Sequence, residues 1–258
     1  MNNKKQTFAL KGTICYSSSQ TELSVTERGY LVCEDGRCVG VFGEFPEKYA
    51  GIECTDFGDE LIIPGLTDLH LHAPQYTFRS SGMDLELLDW LNTYTFPQEA
   101  RYADIDFAKE AYSIFVEDMK KSPNTRACMF GTLHVPATEL LMEMLDQTGM
   151  KTMVGKVNMD RNGSEELQEE SAQASADATV QWIEDTLDKF ENVKPILTPR
   201  FTPSCSDELM EKLSEIQKKY HLPMQSHLSE NFGEIAWVKE LCPNTHFYGE
   251  AYSQFDLF

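Results

Sequence analysis

The spacing of apolar and polar positions changes character near residue 64. Before it, the chain reads as short strands separated by turn residues. Residues 7–16 form one candidate strand. Residues 30–33 and 38–42 flank Asp35-Gly36, a dipeptide whose backbone suits the tight turn of a hairpin. Cys33 and Cys38 then face each other across that hairpin. Residues 60–63 end this section just before Pro64-Gly65. The expectation is a small β module over residues 1–64, half of a composite β-sandwich.

After residue 64 the order becomes strand, loop, helix, repeated. Strands are expected over 65–72, 125–134, 152–159, 195–201 and 223–228. Between them, Phe107, Ala108, Ala111, Tyr112, Phe115 and Met119 recur with the 3.6-residue period of a helix. Leu140, Leu141, Met144 and Leu145 do the same, with Thr138 as the expected N-cap and Gly149 as the stop. Further stripes are Val180, Ile183, Leu187 and Phe190, then Leu209, Met210, Leu213, Ile216 and Tyr220 behind a Ser206 cap. Residues 232–241 make a last helix. Such stripes are assigned to packing alone.

Strands alternating with helices predict an α/β fold with a parallel sheet and right-handed crossovers. An open doubly wound sheet and a closed barrel both satisfy that order. The open dinucleotide-binding sheet has a G-x-G-x-x-G turn after its first strand, and none is present here. A barrel collects its chemistry at the C-terminal ends of its strands. His72, His134, Asp160, Arg200 and His227 each close an apolar run. The expected architecture is therefore a partial (β/α)8 TIM-type barrel of about five βα units over residues 65–258. A complete barrel has eight strands, so the chain is expected to be truncated at its C-terminal side.

Charge narrows the partners. With 22 basic and 42 acidic residues the formal charge is -20. Nucleic acid and anionic lipid both attract basic surfaces, so neither is an expected partner. No apolar run has the roughly 18 residues of a membrane helix, and Lys4-Lys5 lacks the apolar core of a secretory signal. Seven cysteines without a C-x-x-C pair suit free thiols in a reducing compartment. The expectation is a cytoplasmic protein acting on a small molecule.

Candidate chemistry begins at His70 and His72. Residues i and i+2 of a strand share a face, so both imidazoles converge on one point, as two ligands of a metal must. His227 closes the fifth expected strand. Alone it reads as a hydrogen-bonded core histidine; with the H-x-H pair it completes the three protein ligands usual for catalytic zinc, which lowers the pKa of bound water towards about 7. Glu230 lies three residues further on. It suits a proton shuttle beside a metal, and equally a helix N-terminal carboxylate favoured by the macrodipole.

Several motifs together resemble the guanine deaminases, a family of the amidohydrolase superfamily. They are residues 64–75 (PGLTDLHLHAPQ), 90–97 (WLNTYTFP), 154–160 (VGKVNMD), 198–201 (TPRF) and 225–231 (QSHLSEN). H-x-H marks the superfamily; the 90–97 loop and the Pro-Arg-Phe turn narrow it to the family. The resemblance implies zinc-dependent hydrolysis of guanine to xanthine and ammonia, with one zinc held by His70, His72 and His227. It implies that Gln75 bonds the purine edge, that Arg200 donates to the purine carbonyl oxygen and that Phe201 walls the pocket. His72 and His227 would also border the substrate. Glu230 would carry a proton between the attacking water and a ring nitrogen. The family takes a further His from its sixth strand and an Asp from its eighth, positions with no match here. A homodimer at full length is also implied.

Other residues are left outside the site. His134 reads as packing or support, and His221 and His246 as structural or surface. Lys156 tempts assignment as a metal-bridging lysine, but a single zinc leaves it no such role. Asp68 shares the face of His70 and His72 and stays unassigned. Two further readings remain: an amidohydrolase acting on another heterocycle, and an inactive fragment that works by association through open sheet edges.

Overall fold

Hydrogen bonding to β1 (Thr7–Ser17) organises the N-terminal unit. It pairs antiparallel with β2 (Leu23–Glu34), which turns back as β3 (Arg37–Phe42), and it pairs parallel with β4 (Glu53–Ile62). The sheet order is β3-β2-β1-β4. The structure is a computed structural model describing residues 7–257, and its two compact units divide between Gly65 and Leu66. Asp35 and Gly36 turn the hairpin at φ of 50° and 79°, the positive values a two-residue turn requires. Cys33 and Cys38 are in register as expected, and both are free thiols. Ala9, Val32 and Tyr49 form the small core. β4 begins well before residue 60, because its polar first half is recruited by the β1 ladder (Phe8 against Glu53 through Lys11 against Asp56) rather than by burial.

The second unit is a parallel α/β array. Its strands are β5 (Leu66–His72), β6 (Asn124–Phe130), β7 (Lys151–Gly155), β8 (Val157–Asn158), β9 (Val193–Pro195) and β10 (Thr198–Pro199). One sheet runs β5-β6-β7-β9, and β8 pairs with β10. The helices are α1 (Leu87–Trp90), α2 (Phe96–Ala100), α3 (Ile105–Met119), α4 (Val135–Asp146), α5 (Ala172–Thr186), α6 (Asp207–Tyr220), α7 (Phe232–Leu241) and α8 (Glu250–Ser253). A π-helical turn, Leu91–Thr95, joins α1 to α2. The main core lies between helices and sheet, with Tyr112, Met129, Leu141, Val154, Trp182 and Leu213 fully buried. This is the partial barrel the sequence pattern predicts.

The Ser206 signal acts as expected, and α7 carries a cap that had not been expected. Ser206 caps α6 through Leu209 N (3.1 Å), and Asn231 and Glu234 form a capping box on α7. Thr138 does not cap α4. That helix starts at Val135 with Pro136 in its first turn, and the Thr138 hydroxyl donates to the Thr132 carbonyl at 2.9 Å.

The expected strands are interrupted for physical reasons. The run 152–159 breaks at Lys156, whose buried ammonium turns to Glu169. Pro195 and Pro199 carry no N–H, so 195–201 keeps only fragments of ladder. The expected strand 223–228 is one bridge, Leu197 to Met224. Past Gln225 the Pro199 carbonyl takes the Ser226 hydroxyl (2.7 Å) in place of a backbone N–H. Gly155 is obligatory, because a Cβ there would lie 1.8 Å from Thr198 Oγ1. No helix among the described residues is long and apolar enough to cross a membrane.

Candidate functional site

The C-terminal end of β5 sets two imidazoles, and the chain beyond Met224 supplies a third. Ring centroids lie 5.4 Å apart for His70 and His72, and 5.0 Å for each of them with His227. Their ligating nitrogens all lie within 4.8 Å of one another, and His72 Nε2 is 2.9 Å from His227 Nε2. Phe130, the last residue of β6, packs against all three rings at 4.4–5.3 Å. One aromatic side chain thus backs the whole cluster.

The protonation pattern suits metal ligation. His227 Nδ1 sits 2.6 Å from the Arg200 carbonyl oxygen, which only accepts, so Nδ1 carries the proton and Nε2 presents its lone pair. Burial, against that carbonyl's opposing effect, pushes the His227 pKa down to about 4. Burial first, then the neighbouring His227, Arg200 and His70 charges, hold His72 well below the ordinary histidine value. Neutral imidazoles are the form that binds metal. A three-nitrogen set on one side of a cavity fits a divalent cation with an open coordination position.

All seven residues expected at the site line one cavity of about 440 Å³: His70, His72, Gln75, Arg200, Phe201, His227 and Glu230. Trp90 and Leu91 add apolar wall. Phe201 is 5% exposed and meets Trp237 edge-on at 6.4 Å. Glu230 is held above the ordinary glutamate value by burial and then by the Glu234 charge. Glu234 is itself occupied, accepting from the Glu230 backbone N–H (2.7 Å) and from the Tyr248 hydroxyl (2.6 Å).

Glu99 on α2 is the buried partner of two cavity residues, and sequence reading misses it. It is 1% exposed and forms a two-pronged ion pair in which Arg200 Nη1 and Nη2 donate to its two oxygens, the second at 3.2 Å. Gln75 Nε2 donates to Glu99 Oε1 at 2.9 Å, and the Arg200 guanidinium lies 5.0 Å above the Phe96 ring. A buried arginine demands a countercharge, which is the only signal the sequence offers. With 42 acidic residues to choose from, that signal selects none.

Other candidates fall elsewhere. His134 is not on the cavity wall; its buried Nε2 has no hydrogen-bond partner among the described residues, and burial followed by the Lys156 charge lowers its pKa. Lys156 is fully buried against Glu169, and burial lowers its pKa. Asp68 accepts from the His70 backbone N–H at 3.1 Å, steadying the strand that carries the imidazoles.

The sequence model of the amidohydrolase family matches residues 61–256. Guanine deaminase of Rattus norvegicus is 44% identical over 199 residues, covering 77% of this chain and 44% of that protein. Guanine deaminase of Escherichia coli (strain K12) is 35% identical over 240 residues, covering 91% and 54%. The crystal structure of guanine deaminase from C. acetobutylicum with bound guanine superposes with a TM-score of 0.94 at 44% identity, covering 98% of this chain and 60% of that one. The chain thus spans about half the length of the curated relatives it matches.

Proposed function

The chain belongs to the amidohydrolase family, and we propose that its cavity serves the hydrolytic deamination of guanine to xanthine and ammonia. The observation that carries this reading is the meeting, around one cavity, of three imidazoles with Arg200 and Gln75. The relatives named guanine deaminase, and the guanine-bound neighbour, support it. The free cysteines suit a reducing, cytoplasmic setting.

His70, His72 and His227 would hold one zinc ion per subunit. Bound there, zinc supplies a Lewis acid that makes water nucleophilic at neutral pH. Arg200 donates to the carbonyl oxygen of the purine and Gln75 bonds the adjoining edge. Phe201 and Trp90 form apolar wall for a flat ring. Glu230, with its pKa raised, takes a proton from water and passes it to a ring nitrogen. The carbon bearing the amino group accepts the hydroxyl; the hydroxyl's remaining proton passes to the amino group, and ammonia leaves as the C–N bond breaks and the carbonyl of xanthine forms. Adenine carries an amino group where guanine has its carbonyl; it would leave the Arg200 donor buried and unpaired, at a cost that favours rejection.

The direct test is ammonia and xanthine production from guanine by the full-length protein, run with metal analysis of the same preparation. Equimolar zinc without xanthine would overturn the reading. Arg200→Ala sharpens it: guanine turnover should collapse, and unchanged kinetics would point to a different heterocycle.

A further inference from the structure

Glu99 does not reach the cavity, yet it touches two of the residues that do. We propose that Glu99 is a positioning residue that fixes the order of donor and acceptor on the cavity wall, and so sets which purine edge the wall accepts. The inference deepens the guanine reading of the same cavity and rests on it.

Hydrogen-bond polarity fixes the order of the two groups. A carboxylate paired with a guanidinium has only acceptors to offer. Gln75 therefore turns its NH2 end to Glu99 (Nε2 to Oε1, 2.9 Å) and its carbonyl end away from it. Because Gln75 lines the cavity, that carbonyl is the end left for a ligand. Arg200 spends two of its donors on Glu99, is braced over Phe96, and keeps its remaining N–H groups for the cavity it also lines. The wall then presents a donor beside an acceptor. The complement is a ligand edge with a carbonyl beside an N–H, a cyclic amide. Guanine and hypoxanthine carry that edge at C6 and N1. Adenine carries its reverse, an amino group beside a bare ring nitrogen.

Without a carboxylate at position 99 the Gln75 amide has no reason to prefer one orientation. Glutamine at 99 offers either an oxygen or an NH2 to its neighbours, so both edges become acceptable. A residue that merely props the fold would, when changed, weaken both ligands alike. The ratio between them separates the two roles.

The experiment measures, by titration calorimetry on the zinc-loaded protein, the binding of hypoxanthine and adenine, neither of which has an amino group at C2 to lose. Wild type should prefer hypoxanthine by about tenfold or more. Glu99→Gln should cut that preference at least about fivefold, and Glu99→Asp, which keeps the charge, should retain part of it. Gln75→Leu leaves the Arg200–Glu99 pair in place and serves if Glu99→Gln does not fold. It should weaken hypoxanthine about tenfold and adenine less than about twofold. A folded Glu99→Gln with an unchanged ratio, or Gln75→Leu that weakens both purines equally, overturns the role of Glu99 alone. Wild type that binds neither purine overturns the guanine reading as well.

Discussion

Two ion pairs are buried near the paired strands β8 and β10, and they differ in what lies on their far side. Arg200 and Glu99 are 3% and 1% exposed, and Arg200 has a face on the cavity. Lys156 is fully buried against Glu169, and neither lines that cavity. Glu169 instead spends its other oxygen on the Met159 backbone N–H (3.1 Å), pinning the loop that leads to α5. On the proposed reading, the first pair sets charge for recognition and the second holds a loop. Arginine suits the first because its planar fork binds a carboxylate with one edge and keeps N–H groups on another; lysine, a point charge on a flexible stem, suits the second.

The sharpest way to break this contrast is Arg200→Met. Removing one partner of a buried pair costs about 3–5 kcal/mol, and loss of a charged donor to the purine carbonyl should weaken guanine binding about 10- to 100-fold. Chemical denaturation and calorimetry would read the two effects. Lys156→Met should show a comparable stability loss, about 3–5 kcal/mol, with the guanine dissociation constant unchanged. A shifted dissociation constant would mean that the second pair also shapes the cavity.

Smaller still is the effect of neutralising both partners. Lys156→Met combined with Glu169→Gln should recover most of the single-variant loss, because paired burial often stabilises no more than an apolar match does. Denaturation midpoints of the single and double variants check it. The smallest effect is a pH slope. Burial holds the folded-state pKa of Lys156 below its ordinary value of 10.5. Between those two values the unfolded chain binds the extra proton, so stability contributed by this group rises as pH rises through that window and is lost as pH falls. Subtracting the Lys156→Met profile from wild type should isolate that rise, and a flat difference would contradict it.

The cavity was more legible in the sequence than the sheet around it. His70 and His72 needed only the two-residue repeat of a strand, and 70–72 is strand to its last residue. Helices declared themselves through apolar stripes and the cap at Ser206, whose signals are local. Strand limits were harder to read. Residues 152–159, 195–201 and 223–228 look alike as apolar runs, yet pairing fails where Lys156 turns inward, where Pro195 and Pro199 lack an N–H, and where Ser226 takes the Pro199 carbonyl. β4 shows the converse, a polar run made strand by its neighbour.

Periodicity, caps and short-range spacing are properties of adjacent residues, and the sequence by itself determined them: the alternation of strand and helix, the Ser206 cap, and the shared face of two imidazoles. Only the tertiary structure decided which distant groups complete them. His227 reaches His72 across 155 positions, and Glu99 reaches Arg200 across 101. Such meetings depend on how whole elements pack, and one chain's order of residues does not encode that pairing locally.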